Sequence, residues 1–478
     1  AEASCVIDYW ITAGETPAEI LENYTAVSGR PGEFPKWASG FWQSKLRYHN
    51  QEEVLETARE YKRRGLPLSV IVIDFFHWKH QGDWSFDPEY FPDPQAMVDE
   101  LKEMGVELMV SVWPTVEPYS ENYARLKQLG FLTRADRGVR TQYHCLGAQV
   151  FFDPTTQGAR EFLYEKLKEN YGKYGIRIFW LDEAEPEYQQ FDYDIYRYQA
   201  GSAREIGGIY PLCYSQAIYD GMKKDGIEDP MNLTRSAWAG SQKFGTLLWS
   251  GDIYSSFRSF RMQIRAGLNA GMAGIAWWTS DIGGFWGGDP ESEEFRELLV
   301  RWFQFGVFSP ICRLHGHRRP SGTLPEVVDS GMFDFNTCGP NEVWSYGEKN
   351  YGILKELLML RERMRPYVEE TAAEASETGL PMLRTLFFNY PEDENCWETE
   401  DEIMLGRDLL AAPVTYPGMT SREVYLPKGD RWIDYYNGKV YEGGQTLMYP
   451  TPLEVIPFFI REGSGQYEKI RGQAEGGL

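Results

Sequence analysis

Two aspartates each close a short apolar run. Ile178-Phe179-Trp180-Leu181 leads into Asp182-Glu183-Ala184-Glu185-Pro186-Glu187, and Leu247-Leu248-Trp249-Ser250-Gly251 leads into Asp252. A buried strand that stops on a carboxylate delivers an acid to a cleft. An unpaired ionised group is costly to bury, and its proton affinity shifts instead. Read alone, either aspartate has an alternative role as an N-cap for the helix or loop that follows, so the second occurrence of the pattern carries the weight. Two such acids in one cleft can divide the work of acid, base or nucleophile.

Other polar groups recur at the same kind of position. Asn232-Leu233-Thr234 ends on Arg235, Ile275-Ala276-Trp277-Trp278-Thr279-Ser280 on Asp281, and a run reaching Leu314 on His315; Ser69–Ile73 ends on Asp74 and Glu107–Val112 on Trp113. Neither His77/His80 nor His315/His317 has the spacing of a helical metal motif, so no metal and no cofactor are expected.

Positioning these side chains requires a particular architecture. Strand-like runs at 38–43, 69–75, 107–113, 177–183, 232–235, 247–252, 275–282 and 307–314 are interspersed with helix-like ones at 52–64, 95–104, 121–129, 257–267, 293–304 and 351–364. Eight strands, each followed by a helix or long loop, fit a closed (β/α)8 TIM barrel better than an open sheet. In a barrel every strand's carboxyl end converges on one face, and Asp74, Trp113, Asp182, Arg235, Asp252, Asp281 and His315 meet there. Beyond about residue 385, turn-punctuated runs at 403–414, 422–426 and 455–461, with Lys428-Gly429-Asp430 and Asn437-Gly438 between them, indicate a C-terminal antiparallel β-sandwich. The expected division is a lead-in at 1–30, the barrel at 31–385 and the β domain at 386–478.

The chain has 478 residues, enough for a large domain and a smaller one, and 42% of them are apolar. A formal charge of −23 excludes a surface built to neutralise phosphates, so neither nucleic acid nor an anionic membrane is an expected partner. Thirty Tyr, 26 Phe and 16 Trp supply flat faces with polar tips, suited to sugar rings, although most must fill the core. No apolar run reaches the ~18 residues of a membrane span, and the N-terminus lacks an export pattern. The six cysteines form no CxxC pair and read as reduced, buried thiols of a cytoplasmic protein.

Taken together, these motifs make the chain resemble glycoside hydrolase family 31, in its α-xylosidase-like branch. The resemblance rests on Trp180-Leu181-Asp182-Glu183-Ala184-Glu185, Arg235-Ser236-Ala237-Trp238, Trp249-Ser250-Gly251-Asp252, Ser280-Asp281-Ile282-Gly283-Gly284-Phe285 and Arg313-Leu314-His315-Gly316, in that order and over nearly the whole chain. It implies a retaining exo-acting α-glycosidase acting on neutral oligosaccharides, with Asp182 as nucleophile and Asp252 as general acid/base. Asp74, Arg235 and His315 would hold the sugar, and Trp113, Trp180 and Trp249 would line it. Asp281 would either join them or brace the pocket from below, and Glu185 and Glu187 would be supporting or rim groups. Such chemistry needs two carboxyls about 5–5.5 Å apart, one ionised and one protonated; Arg235 favours the first state at Asp182, and Trp249, Tyr254 and the charge of Asp182 favour the second at Asp252.

Xylose and glucose differ by one hydroxymethyl group, and the aromatic stretch Phe75-Phe76-His77-Trp78 is more like the xylosidase branch. Other α-glycosidase or transglycosylase specificities stay open, as does a carbohydrate-binding protein on the same scaffold. Family members carry an N-terminal β-sandwich, of which residues 5–24 would be the remnant. An uncovered apolar face there would favour a homo-oligomer.

Overall fold

A computed structural model describes residues 9–135, 143–144, 147–187, 192–318 and 339–475. Eight parallel strands form one sheet: β1 (Phe41–Gln43), β2 (Val70–Ile73), β3 (Glu107–Ser111), β4 (Ile178–Leu181), β5 (Asn232–Thr234), β6 (Thr246–Trp249), β7 (Trp278–Thr279) and β8 (Cys312–Leu314). They lie in chain order from β7 back to β1, with β8 on the far side of β1. The ends meet at a thin seam, where Ile311 N–H donates to the Trp278 carbonyl (3.3 Å), Ile282 N–H to the Arg313 carbonyl (3.4 Å), and Thr279 Oγ1 to the Ile311 carbonyl (3.1 Å). The sheet is thereby a closed barrel.

Alternation along β2 explains why its every position is apolar. In β2, Val70 and Val72 belong to the core cluster that contains Trp42, Met109, Ile178, Trp180, Leu233 and Trp249. Ile71 and Ile73 instead pack with Val54, Leu55, Met97, Val98 and Leu101. These come from helices α2 (Gln51–Arg63) and α3 (Pro94–Glu103), so both faces of the strand are buried, as a parallel sheet requires. Side-chain caps start the helices sharply: Asn50 accepts from Glu53 N–H, and Asp93, followed by Pro94, accepts from Ala96 N–H. The outer layer continues with α4 (Gln157–Asn170), α5 (Tyr210–Lys224), α6 (Phe257–Met272), α7 (Glu293–Val307) and the long α8 (Glu348–Thr378). After β5 there is only a 3-10 turn, Ser241–Phe244.

Two readings of the sequence change. The strand expected from 307 to 314 is present but shorter: Val307 is the last residue of helix α7, residues 308–311 turn, and Cys312–Leu314 is extended. Residues expected as a sandwich remnant include helix α1 (Pro17–Ser28), whose Leu21 packs on Leu380 and Phe388. Cys213, Cys312 and Cys396 are free and buried, whereas Cys5, Cys145 and Cys338 lie outside the described residues.

The C-terminal part is antiparallel, with β9 (Leu383–Arg384), β10 (Ile403–Leu405), β11 (Leu409–Ala411), β16 (Phe458–Arg461), β13 (Arg431–Asp434) and β14 (Val440–Glu442) side by side, and β12 (Ser421–Leu426) paired with β15 (Gln445–Pro450). Gly438 turns β13 into β14 at φ 71°, the left-handed conformation that asparagine–glycine turns favour. Buried arginines join the two parts. Arg301 of α7 donates to the carbonyls of Met419, Thr451, Pro452, Leu453 and Val455. Among the described residues, no helix is long and apolar enough to cross a membrane.

Candidate active site

All eight strands contribute a side chain at their carboxyl ends: Ser44 after β1, Asp74 after β2, Trp113 after β3, Asp182 after β4, Arg235 after β5, Asp252 after β6, Asp281 after β7 and His315 after β8. Burial of the strands makes their ends rigid, so these groups are held by the barrel rather than by the loops.

Arg235 lies at the centre. Its Nε donates to Asp182 Oδ1 at 2.9 Å, and its Nη2 lies 2.7 Å from the same oxygen and 3.4 Å from Asp252 Oδ2. One nitrogen therefore touches both aspartates, and those two oxygens lie no more than about 6 Å apart. That limit accommodates the ~5–5.5 Å of a retaining pair. Around the same guanidinium stand Glu185 at 3.6 Å, Glu187 at 3.8 Å and Glu183 at 4.0 Å. One cation thus serves five carboxyl groups.

Such crowding raises proton affinities. Asp252 is pushed up to about 7, first by burial and then by the charge of Asp182, with Arg235 pulling the other way. Its side chain keeps 30% of its exposure, so it stands at the mouth of the cleft, unlike the nearly buried Asp182. Glu185 is likewise pushed up to about 7 by burial, and Glu183, buried beside Asp182, stays well above the usual carboxylate range.

Asp74 and His315 form the opposite wall. Asp74 Oδ1 accepts from Phe75 N–H at 2.7 Å, and its Oδ2 lies 3.6 Å from His315 Nε2. Burial, followed by the nearby Asp182, holds the Asp74 carboxyl well above its usual range. His315 Nδ1 bonds Ser44 Oγ at 2.7 Å, while burial and then Arg313 and Arg318 keep the imidazole well below its usual value. His315 is consequently neutral. Its Nε2 has no protein partner and is free to bind a hydroxyl.

Trp180 floors the cleft, edge-on to Trp249 at 5.3 Å and to His315 at 4.9 Å. The Nε1 atoms of Trp113, Trp180 and Trp249 are buried without protein partners. Trp113 packs with Phe75, Trp78 and Phe285, and the partly buried Phe76 and Trp286 pack against them, into a continuous aromatic wall.

Asp281 is fully buried and pairs with Arg313, whose guanidinium lies 4.6 Å from the Trp180 ring centre. The pair lies beneath the floor and spans the seam between β7 and β8. Arg313, quoted in a motif but given no role from sequence, is thus the partner that locates Asp281. An arginine one strand-step before the site histidine is a weak signal, because nothing in the chain marks which acid it meets. His77 is occupied elsewhere, by the Asp74 carbonyl and the Tyr171 hydroxyl.

Two family models match this chain, the glycosyl hydrolases family 31 TIM-barrel domain over residues 31–371 and the family 31 C-terminal domain over residues 379–464. A family 31 glucosidase of Pseudescherichia vulneris, described as uncharacterized, is 55% identical over 314 residues, covering 66% of this chain and 59% of its own. An alpha-xylosidase of Saccharolobus solfataricus is 33% identical over 474 residues, covering 97% of this chain and 60% of its own. The chain therefore spans about 60% of the length of these two relatives. A solved family 31 alpha-xylosidase from a soil metagenome, complexed with xylose, superposes with a TM-score of 0.92 at 53% identity, over 96% of this chain and 68% of that one. On this evidence the chain belongs to glycoside hydrolase family 31.

Proposed function

We propose that this chain is a retaining exo-α-glycosidase that releases α-linked xylose from the non-reducing end of oligosaccharides. The observation that carries the reading is the reach of Arg235 Nη2 to both Asp182 and Asp252, which keeps the two carboxyls within about 6 Å of each other, a separation suited to a nucleophile and an acid. In the first step Asp182 attacks the anomeric carbon, while Asp252 gives its proton to the departing glycosidic oxygen. A carboxyl pushed up to about 7 is well matched to that transfer at neutral pH.

Once glycosylated, Asp182 is neutral. Its charge no longer holds the proton on Asp252, and Arg235, released from one partner, favours the anion of the other. Asp252 then takes a proton from water, whose oxygen attacks the glycosyl-enzyme and restores Asp182. Asp74, His315 and Arg235 bind the sugar hydroxyls, and the three tryptophans shape its apolar faces. Asp281 acts from below, through Arg313 and the floor.

Xylose is favoured by the names borne by two relatives, the S. solfataricus alpha-xylosidase and the xylose-bound metagenomic enzyme. The aromatic wall beside Asp74 supports it, because packed rings of Phe75, Phe76 and Trp113 suit a sugar without a hydroxymethyl group better than one that carries it. The buried free thiols are compatible with a cytoplasmic location.

The test is a panel of aryl α-glycosides: xyloside, glucoside, galactoside and N-acetylgalactosaminide. The xyloside is expected to be turned over best, Asp182→Asn to be inactive, and a mechanism-based glycosyl fluoride to label Asp182. Equal turnover of the glucoside would withdraw the xylose assignment. An active Asp182→Asn would withdraw the double displacement, and a protein that binds sugars without any adduct would be a binder rather than an enzyme.

A further inference from the structure

We propose that Tyr254, set beside Trp286, is the stacking platform for the leaving sugar and the residue by which the cleft favours a pyranose leaving group over a small one. The inference rests on the α-glycosidase reading and extends it to the side of the cleft that reading leaves unassigned.

Tyr254 follows the acid/base aspartate by two residues, and the group that protonates the glycosidic oxygen must adjoin whatever leaves with it. Its side chain is 71% exposed. A single exposed aromatic is ordinary; the backbone beneath this one is not loose. Phe285 and Trp286 N–H both donate to the Ile253 carbonyl, at 2.7 and 3.0 Å, and Ser255 N–H donates to the Trp286 carbonyl at 2.8 Å. Tyr254 and Trp286 face each other across an isolated parallel bridge.

The approach is so close that a side chain on Gly284 would put its Cβ 2.6 Å from Ser255 Cα, and Gly284 also has φ +80°. Rigid backbone therefore presents the tyrosine, which lowers the entropy lost when a ring settles on it.

Trp286 gives the position of this pair. It packs on the aromatic wall of the pocket, 4.5 Å from the Phe285 ring and 5.6 Å from that of His317. The platform thus continues the wall outward, past Asp252. The rim also carries a carboxylate: Glu187, with 48% of its side chain exposed, stands 3.8 Å from Arg235. Carboxylates accept hydrogen bonds from hydroxyls and repel anions, and an aromatic face meets the C–H face of a pyranose. Both features select a neutral sugar.

The experiment compares kcat/KM for an α-xylosyl-glucose disaccharide with that for α-xylosyl fluoride, whose leaving group has no ring to stack. In Tyr254→Ala the disaccharide-to-fluoride ratio is expected to fall about five- to tenfold, and Tyr254→Phe should keep the wild-type ratio. Because the ratio is taken within one enzyme preparation, a partly folded variant does not distort it. An unchanged ratio in Tyr254→Ala overturns the platform while leaving the glycosidase reading intact, as does an equal loss on both substrates. A Phe variant as impaired as Ala would assign the effect to the hydroxyl and overturn stacking. Wild-type protein that turns over neither substrate removes the underlying reading, and the platform with it.

Discussion

Replacing Arg235 by methionine removes the one cation shared by five carboxyl groups while keeping a side chain of similar length. Two consequences can be given a size. The guanidinium lies 3.4 Å from Asp252 Oδ2 and lowers the proton affinity of that acid against burial and the charge of Asp182. Unit charges at about that distance interact by roughly 1 kcal/mol in water and about 4–5 kcal/mol at an effective dielectric constant near 20. Because ~1.4 kcal/mol is one pH unit, even the lower limit moves Asp252 by most of a unit. The sign is fixed: Asp252 must be protonated in the first step, so wild-type activity falls as pH rises through about 7, and without Arg235 it falls only at higher pH.

The bonds to Asp182 are lost as well, at about 1.5–3 kcal/mol for each hydrogen bond to a charged group, and kcat/KM should fall on the order of 10²-fold or more. The assay is a pH–rate profile with an aryl α-xyloside, with Arg235→Lys as the variant that keeps the charge and loses the fork. A basic limb for Arg235→Met at or below the wild-type position would refute the claim that this guanidinium governs the acid.

Further expectations are independent of that one. Gly284→Ala places a Cβ against Ser255 and forces φ +80° on a residue that resists it, so the segment bearing Asp252 should shift and kcat fall about 10²-fold, measured by steady-state kinetics. Arg301→Met removes a donor from five carbonyls of the C-terminal part, of which Pro452 keeps the Val455 N–H, Leu453 the Gln304 amide and Met419 the Thr451 hydroxyl, and thermal unfolding should show a loss of about 2–5 kcal/mol. Glu402 is fully buried and raised to about 8 by that burial. Its contribution to stability is complete below the unfolded value near 4.5, diminishes as the unfolded state ionises, and is lost by about pH 8. Glu402→Gln should therefore match wild type in Tm at pH 4 and exceed it at pH 8, by about 1 °C for each kcal/mol released in a chain of 478 residues.

The site was legible wherever one strand end decides it. Asp74, Asp182 and Asp252 each follow an apolar run that a buried strand explains, and the barrel then brings them together with Arg235, which follows the more polar Asn232-Leu233-Thr234. What the chain does not encode locally is pairing between distant residues. Nothing near Arg313 indicates that it meets Asp281, and nothing in Glu183, Glu185 and Glu187 shows that all three converge on Arg235.

The strand expected at 307–314 is present but starts late, at Cys312, and the early start expected for it has a physical cause. Val307 ends helix α7, whose last turns are buried on every side, so the apolar run continues from helix through the turn at 308–311 into the strand without a polar stripe to mark the boundary. The hairpin-like pairing of Thr115–Val116 with Ala148–Phe151, inserted between β3 and α4, is too short to register as a pattern.

The barrel's closure has a mechanical corollary. Seven junctions between neighbouring strands are made by regular ladders, whereas β7 and β8 meet through two long backbone bonds and one threonine hydroxyl, with the Asp281–Arg313 pair riveting the join from within. Breathing of the cylinder should begin along that line. Amides at Ile282 and Ile311 would then exchange with solvent deuterium ahead of those in β2 and β3, and the histidine wall of the cleft would be the first part to loosen on heating.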